Sequence, residues 1–341
     1  MLQLPDELLE EIFLRLPPDE PAALVRASLA SKPWLALLTG PAFRGRYREF
    51  HGAPPMLGFL YSGFDVSGHE GDPAPLLVST SKFRARIPDF ASTDQDFDLV
   101  VWDCRHGRVL LGDADLSSRP LVVWDPMTGC TRQLDGPDDI GKIAVLCAVS
   151  GCDHRSCHAG LFKLVCVAVD DSVDGEHVAH VCVSSPDMGD SDEWKEPCPG
   201  LYVAADSFIY DIPAVLLHDA LHFILGLGLA HVDNRFTLYV WSRQIGSNGV
   251  ASWTHGRVVD LKNIIPIKNP HRRPSLIGSV EGSDIIFVNM DLGVYEIDLK
   301  TLEWKERMKG GNYYSLFPYM SFYNPPGNNI SVSGTIKALN A

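Results

Sequence analysis

The chain has 341 residues, of which 45% are hydrophobic, and a net charge of −14 at neutral pH. It can therefore bury a large core, and it exceeds the usual size of one domain unless a single β-architecture takes most of it. The acidic balance argues against general nucleic-acid binding, because the phosphate backbone is itself negative.

The first residues and the cysteines indicate a compartment. The opening "MLQLPDELLEE" carries acids where a secretory signal would be positively charged, so we do not expect export. The eight cysteines are scattered and should then stay reduced. We expect the protein in the cytoplasm, the nucleus or both.

Three short helices are predicted before residue 45. Pro5 suits the first position of a helix, and Pro17-Pro18 ends it. A second helix follows Asp19, and a third opens at Ser31 or Lys32 and ends at Gly40-Pro41. Apolar residues recur with a helical period along the first helix, at Leu8, Leu9, Ile12, Phe13 and Leu16.

The apolar stripes of these helices are wider than three short helices can cover among themselves. Surplus apolar surface of this kind indicates a docking face. The alternative is that the helices pack on the domain that follows.

The order of residues resembles the F-box, in Leu4-Pro5-x-Glu7-Leu8-Leu9-x-x-Ile12-x-x-x-Leu16-Pro17 and then Ser31-Lys32-x-Trp34. F-box proteins use this three-helix module to bind a Skp-type adaptor in a cullin–RING ubiquitin ligase. The resemblance implies that Trp34 holds the helices together. It also implies an adaptor-binding set of Leu4, Pro5, Leu8, Ile12, Leu16 and Leu24. We assign residues 1–45 to this module and residues 46–54 to a linker.

Strand signals dominate after Phe50, and neither long helices nor a nucleotide-binding glycine fingerprint occurs, which disfavours a parallel α/β enzyme. The predicted strands include "DLVVWDC", "RVLLGD", "LVVWDP", "LFKLVCVAV", "HVAHVCVSS", "RFTLYVWS", "SDIIFVNM" and "GVYEIDL". The apolar stretch around "AVLLHDALHF" is interpreted as a β-hairpin turning at His218-Asp219 rather than as a membrane span.

Internal similarity indicates repeated sheets. "LVVWDPMTGCTRQL" aligns with "GVYEIDLKTLEWKERM", which pairs Asp125 with Asp298 at a turn where each carboxylate should accept backbone N–H groups. Trp194, Trp253 and Trp304 follow one another at steps close to the period of about 50 residues in kelch blades. We predict a mainly β fold, an irregular kelch-like β-propeller of about five to seven blades over residues 55–341.

The body also resembles the F-box-associated, kelch-like propellers of plants. The pieces that carry this likeness are "CRHGRVLL", "LVVWDPMTG", "AVLLHDALHF" and "SVEGSDIIFVNMDLGVYEIDLKTLEW" leading into "YMSFYNP". The late strand "YMSFYNP" is expected to close the ring against "MLGFLYS".

The segment "CDHRSCH" is the one candidate metal site in the sequence. Cys152, His154, Cys157 and His158 are ligands that zinc accepts. Closed zinc sites usually take ligands from two separated pairs, so we predict an ordinary loop between strands and no metal.

Other candidate chemistry is weaker. No Gly-x-Ser-x-Gly elbow indicates a hydrolase, and the Asp-box-like "SPDMGDSDEW" is a turn device. We expect a target protein to be bound by blade loops, around Asp65–Pro75, Cys152–His158 and Gly246–Ala251. Candidate contact residues are Tyr313, Tyr314, His154 and Arg272. For the two tyrosines the alternative, packing beneath the ring closure, is the favoured one.

These patterns predict a non-catalytic substrate receptor of a Skp–cullin–F-box ubiquitin ligase, with no cofactor. Its partners would be the adaptor and an unknown target protein, with no nucleic acid and no membrane. Two alternatives remain. One is a ligase-independent propeller scaffold, since Ser31 and Pro33 depart from the usual F-box pattern. The other is a propeller-fold glycoside hydrolase, since acids are plentiful.

Overall fold

A computed structural model provides the three-dimensional description of most of the chain. It describes residues 5–64, 76–79, 99–113, 120–137, 141–152, 154, 157, 160–171, 177–186, 193–197, 199–203, 215–217, 220–222, 230–232, 236–245, 251–269, 271–272, 274–280, 283–309 and 312–322. These residues divide into two compact units. The first comprises the described residues up to Leu57 with Ser79 and residues 320–322, and the second comprises the rest.

The first unit contains the helices of the described chain: α1 (Asp6–Leu14), α2 (Pro21–Ala30), α3 (Lys32–Thr39) and α4 (Pro41–His51). The first three correspond to the predicted helices. Helix α4 was not predicted, and it runs through residue 51, inside the segment we had assigned to a linker. It forms because Phe43 and Tyr47, one turn apart, are both buried. No helix among the described residues is long and apolar enough to cross a membrane.

A shared core holds the four helices together. Its buried members are Leu9, Phe13, Leu14, Leu24, Leu38, Phe43, Tyr47 and Phe322. Each such side chain contributes about 1.5–3 kcal/mol on burial. Trp34 packs against this core, with its ring 5.1 Å from that of Phe13 in an edge-to-face arrangement. This agrees with the predicted role of Trp34 in joining the helices.

Apart from a short 3-10 helix at Leu261–Asn263, the remaining described elements are strands. They are β1 (Met56–Phe64), β2 (Leu76–Ser79), β3 (Leu99–Arg105), β4 (Arg108–Asp113), β5 (Pro120–Trp124), β6 (Thr131–Asp135), β7 (Lys142–Cys147), β8 (Phe162–Asp171), β9 (His177–Ser184), β10 (Leu201–Val203), β11 (Val215–Leu217), β12 (Ala220–His222), β13 (Ala230–Val232), β14 (Thr237–Ile245), β15 (Ala251–Asp260), β16 (Ser275–Ser279), β17 (Ile285–Asn289), β18 (Gly293–Asp298), β19 (Trp304–Lys309) and β20 (Asn312–Met320).

The strands form a series of small antiparallel sheets. Strands β3–β6, β7–β10 and β16–β19 each make a four-stranded sheet in chain order, β13–β15 make a three-stranded one, and β11 pairs with β12. Strand β1 lies between β2 and β20 and so joins the start of the body to its end. Successive sheets of consecutive strands, closed by the first and last strands, are the architecture of a β-propeller. The fold is mainly β, as the sequence predicts.

Apolar side chains from neighbouring sheets fill the space between them. One cluster combines the sheet of β3–β6 with that of β7–β8, through Trp102, Leu110, Leu121, Val123, Leu134, Ile143, Val145, Phe162, Leu164 and Cys166. A second cluster spans β14–β18, with Leu238, Val259, Val288, Tyr295 and Ile297 among its members. A single blade cannot bury both of its faces, so this packing between sheets supplies the stability of the propeller.

The structure confirms the predicted turns and partly corrects the ring closure. Asp125 Oδ1 accepts the N–H of Met127 at 2.8 Å, and Asp298 Oδ1 accepts that of Lys300 at 2.7 Å. Leu217 pairs with Ala220, as a hairpin turning at residues 218–219 requires. The expected partner "MLGFLYS" is confirmed, because it lies in β1 and β1 is hydrogen-bonded to β20. The closing strand itself is Asn312–Met320, which contains only the first two residues of "YMSFYNP".

Candidate functional site

Helix α1 divides its apolar residues between a buried and an exposed side. Leu9 and Phe13 are buried in the helical core, whereas Leu8 and Ile12 are 52% and 50% exposed. Residues four apart lie on one face of a helix, so Leu8 and Ile12 form a pair of adjacent apolar side chains facing solvent. This is the surplus surface that the sequence predicts.

The other predicted adaptor-binding residues have different environments. Pro5 is exposed beside α1, Leu16 is half-buried and packs against the helical core, and Leu4 lies outside the described residues. Leu24 is only 2% exposed, so its predicted contact with an adaptor is corrected here to a core role. Leu29, which we had not assigned, is 79% exposed. Five residues along a helix turn the side chain by about 140°, which places these two leucines on opposite sides of α2.

Helix α4 fixes the position of α1 by polar contacts. Arg46 pairs with Glu10 at 2.8 Å and with Glu11 at 3.0 Å. The hydroxyl of Tyr47 donates a hydrogen bond of 2.8 Å to the carbonyl of Leu16, just beyond the end of α1. The exposed pair Leu8 and Ile12 is therefore presented by a helix that polar contacts attach to α4.

The two departures from the usual F-box pattern fit a well-formed α3. The hydroxyl of Ser31 accepts the backbone N–H of Trp34 at 3.3 Å, which caps the helix. Pro33 lies in the first turn, where its missing N–H costs no hydrogen bond. These residues therefore support the local fold.

The predicted target-binding residues lie on separate elements. Tyr313 on β20 is half-buried, with its ring edge-on to that of Tyr61 at 5.0 Å, and the carbonyl of Tyr313 accepts a hydrogen bond from Asn289. The backbone N–H of Arg272, before β16, bonds to the carbonyl of Asn269 at 3.3 Å. The side chain of Tyr314 lies outside the described residues, as do residues 65–75 and 246–250 of the predicted loops.

His154 belongs to a cluster of potential metal ligands between β7 and β8. One ligand atom from each of Cys147, Cys152, His154 and Cys157 lies within 4.8 Å of the others. Cys147 and Cys157 are buried, and the other two are half-buried. The sequence pattern named His158 as the fourth ligand, but His158 lies outside the described residues and Cys147 takes that place. Cys147 precedes Cys152 by five residues, and this spacing is the signal that sequence reasoning missed.

Burial controls the protonation of the groups around this cluster. It raises the pKa of the Cys157 thiol to about 12, with the nearby Cys147 and Cys152 adding to the effect and Arg108 opposing it. Burial also lowers the pKa of His106 to about 3, helped by His154 and two neighbouring arginines. The ring of His106 is therefore neutral, and it stacks on that of His154 at a centroid distance of 4.1 Å.

Two buried carboxylates of the described strands have structural partners. Asp103 pairs with Arg105 at 2.9 Å, and Glu296 pairs with Arg307 at 2.6 Å. Each carboxylate is thus neutralised by an arginine within its own blade. Both carboxylates therefore have a structural role in their sheets.

Comparison with known proteins identifies the N-terminal module. The F-box domain family matches residues 1–44, which confirms the F-box predicted from the sequence. The chain therefore combines an F-box domain with a β-propeller body. No family match supports the predicted plant origin or kelch-like subtype, and no curated protein matches the chain.

Solved structures resemble the chain only distantly. The WD40 domain of SCAP from fission yeast is 15% identical over 67% of this chain, with a TM-score of 0.27, and the chain spans 58% of its length. TolB from Acinetobacter baumannii is 8% identical, with a TM-score of 0.34 and coverage of 80% of this chain and 69% of its own. A nidogen/laminin complex is 10% identical, with a TM-score of 0.29 and coverage of 78% and 99%.

Proposed function

We propose that this chain is the substrate-receptor subunit of a Skp–cullin–F-box ubiquitin ligase. The observation that carries the proposal is the F-box domain with Leu8 and Ile12 exposed side by side on α1. F-box domains generally bind Skp1-type adaptors, and an apolar helix face is a common form of peptide and protein recognition. Pro5, and Leu16 at its half-buried position, border the same helix.

The receptor performs no bond chemistry in this proposal. The propeller holds a target protein, and the rest of the ligase brings a conjugating enzyme that carries ubiquitin as a thioester. Joining the two in one complex raises the effective concentration of a target lysine near the reactive thioester. The gain is in proximity, so the chain needs no nucleophile or general base of its own.

The target would bind through loops that connect strands of the propeller. Function on rigid β-scaffolds is usually carried by such loops, because they vary without disturbing the sheets. The β7–β8 connection around His154 and the turn at Arg272 are two such places among the described residues. A receptor of a cullin-based ligase would act in the cytoplasm, the nucleus or both.

Binding of the full chain to a purified Skp1-type adaptor tests the proposal. We would compare wild type with Leu8→Asp/Ile12→Asp, which changes only exposed side chains and should leave the helical core intact. The control is Leu201→Asp/Tyr202→Asp, which alters two exposed residues of β10 that are 67% and 72% exposed. Buried interface anchors are worth about 1–2 kcal/mol each, so the α1 variant should bind at least tenfold more weakly.

The outcomes separate the proposal from its alternatives. Tight binding of wild type and of the β10 control, with loss in the α1 variant, supports the receptor. No adaptor binding by folded wild type would leave a ligase-independent scaffold. Equal loss in both variants would show that the effect of the α1 substitutions is not specific to an adaptor face.

A further inference from the structure

The connection between β7 and β8 gathers three thiols and one imidazole at one point. Cys147 is the last residue of β7, and Cys152, His154 and Cys157 follow in the connection to β8. All four ligand atoms lie within 4.8 Å of one another. Three cysteines and one histidine form one of the usual ligand sets of structural zinc.

The four ligands come from a strand and the connection after it, not from a single turn. Cys147 is held by the ladder to β8, where it pairs with Phe162. Backbone turns with positive φ at Gly151 (68°) and His154 (56°) bring the connection back toward Cys147. One ligand thus lies on a strand and three lie in the connection that follows it, and their ligand atoms converge within 4.8 Å of one another.

The far end of the connection is fixed from another strand. The guanidinium of Arg108 on β4 donates hydrogen bonds to the carbonyls of Cys157 and Gly160. At the base, the N–H of Ala148 donates to the carbonyl of Leu161 at 3.0 Å. The backbone on both sides of the cluster is therefore positioned without help from the ligand side chains.

Backbone N–H groups point at two of the sulfurs. The N–H of Val149 donates to Cys147 Sγ, and that of His154 donates to Cys152 Sγ, each at 3.4 Å. Such donors favour a sulfur that carries negative charge, as a metal-bound thiolate does. The ring of His106 accepts the N–H of Cys147 at 3.3 Å and stacks on His154, which orients both ligands.

The dimensions of the cluster fit a tetrahedral ion. Zinc–sulfur bonds of about 2.3 Å correspond to ligand–ligand edges of about 3.8 Å in a tetrahedron. The shorter Zn–N bond of about 2.0–2.1 Å makes a sulfur–nitrogen edge about 3.6 Å, and Cys157 Sγ lies 3.7 Å from His154 Nδ1. The widest separation in the cluster, within 4.8 Å, needs a contraction of about 1 Å, which rotation about the Cys152 and His154 side-chain bonds can supply.

We propose that Cys147, Cys152, His154 and Cys157 bind one Zn²⁺ as a closed structural site that fastens the β7–β8 connection of the propeller. Binding would replace the water ligands of the ion with three thiolate sulfurs and one imidazole nitrogen and would release the three thiol protons, with no change of oxidation state. With four protein ligands the ion would have no open position, so its role would be to hold the loop. This proposal does not depend on adaptor binding.

Metal analysis of the purified full chain tests the site. The protein would be incubated with one equivalent of Zn²⁺, desalted, and measured by inductively coupled plasma mass spectrometry. We expect about one zinc per chain in wild type, and at least a fivefold loss in Cys147→Ser and in Cys157→Ser. Cys166→Ser, a buried thiol on β8, and Cys130→Ser, an exposed one, are matched controls that should keep the metal.

A second measurement covers the case in which a variant fails to fold. Co²⁺ added to wild type should give the intense ligand-field and sulfur charge-transfer absorption of a tetrahedral thiolate site, and one equivalent of Zn²⁺ should remove it. Folded wild type that retains no zinc and gives no such spectrum overturns the proposal. So does a disulfide between two of the cluster cysteines found by mass spectrometry in protein purified under reducing conditions, or equal metal loss in the Cys166 and Cys130 controls.

Discussion

Asp103 on β3 accepts a hydrogen bond of 2.9 Å from the backbone N–H of Val145 on β7, in a buried position between two blades. The same carboxylate oxygen pairs with Arg105 Nε at 2.9 Å. The Asp103 side chain thus connects the sheet of β3–β6 to the main chain of β7, and it neutralises the buried guanidinium of Arg105. Apolar packing between blades has no direction, whereas this hydrogen bond fixes how the two sheets are aligned.

Replacing Asp103 should therefore destabilise the propeller strongly. Asp103→Ala removes one partner of a buried ion pair and the acceptor of a buried N–H, which typically costs about 3–5 kcal/mol. Asp103→Asn keeps an acceptor and should cost less. Urea denaturation would measure the free energy of unfolding, with Glu303→Gln as an exposed control. A loss below about 1 kcal/mol for Asp103→Ala would contradict the structural role.

The turn at Asp298 should make stability depend on pH. Hydrogen bonds from the N–H groups of Thr301 and Lys300 hold the pKa of the Asp298 carboxyl below its usual value. A carboxyl with a lowered pKa in the folded state stabilises the protein above its unfolded pKa, and this contribution is lost as the pH falls through the folded pKa. Wild type should exceed Asp298→Asn in stability at pH 7. The difference should start to fall below the usual carboxyl pKa and vanish below the lowered pKa of the folded state.

Denaturation curves of both proteins at several pH values would measure that difference. The matched control is Asp135→Asn, at an exposed residue of β6. A wild-type advantage over Asp298→Asn that stays constant from pH 7 into the acid range would contradict the assignment of the turn hydrogen bonds to the ionised carboxylate.

Gly278 on β16 should tolerate no side chain. A Cβ at this position would lie 2.2 Å from the carbonyl oxygen of Leu316 on β20, a backbone atom that cannot move aside cheaply. Gly278→Ala should lower the free energy of unfolding by at least about 1–3 kcal/mol, because the added methyl group overlaps a backbone atom. Gly45→Ala on α4 is the opposite case, since nothing lies within 4 Å of its added Cβ. It should stabilise the helix by about 0.5–1 kcal/mol.

Thermal and urea unfolding of both glycine variants would decide this. Equal effects of the two substitutions would mean that β16 and β20 do not approach as closely as described. A loss of stability in Gly45→Ala would count against α4 as a helix.

The two leucines of α2 should behave differently on truncation. Leu24→Ala should destabilise the helical module by about 2–5 kcal/mol, because it leaves a cavity in the core. Leu29→Ala should change its stability by less than about 0.5 kcal/mol, because the side chain is exposed. Hydrogen exchange of the α2 amides in the full chain would report both effects. Faster exchange in Leu29→Ala than in Leu24→Ala would reverse the assignment of core and surface.

Adaptor binding by the same variants adds a separate readout. If Leu29 contributes to the proposed docking surface, Leu29→Ala should weaken binding while leaving hydrogen exchange unchanged. Unchanged binding would limit that surface to α1.

Features that arise within a few residues were readable from the sequence. The helical period of α1 separates Leu8 and Ile12 from Leu9 and Phe13, because 3.6 residues per turn decide which side chains share a face. The Asp-x-x-Thr turns at Asp125 and Asp298 close hydrogen bonds within three residues. Strands such as β4 and β18 follow from short apolar runs between turn residues.

Tertiary structure decided what lies far apart along the chain. No local pattern tells that Leu24 rather than Leu29 meets the core, since both are leucines on one apolar helix and only the position of the neighbouring helices distinguishes them. Helix α4 forms because Phe43 and Tyr47 are buried in the core that the four helices share.

The cysteine cluster shows the same limit. From the sequence, Cys152, His154, Cys157 and His158 were grouped because they are close in number. The fold instead brings Cys147 from the end of β7 to the other ligands. The sequence thus determined three of the four helices, most strands and the exposed face of α1. Contacts between distant segments decided which other side chains meet, because packing energy depends on positions that only the assembled elements define.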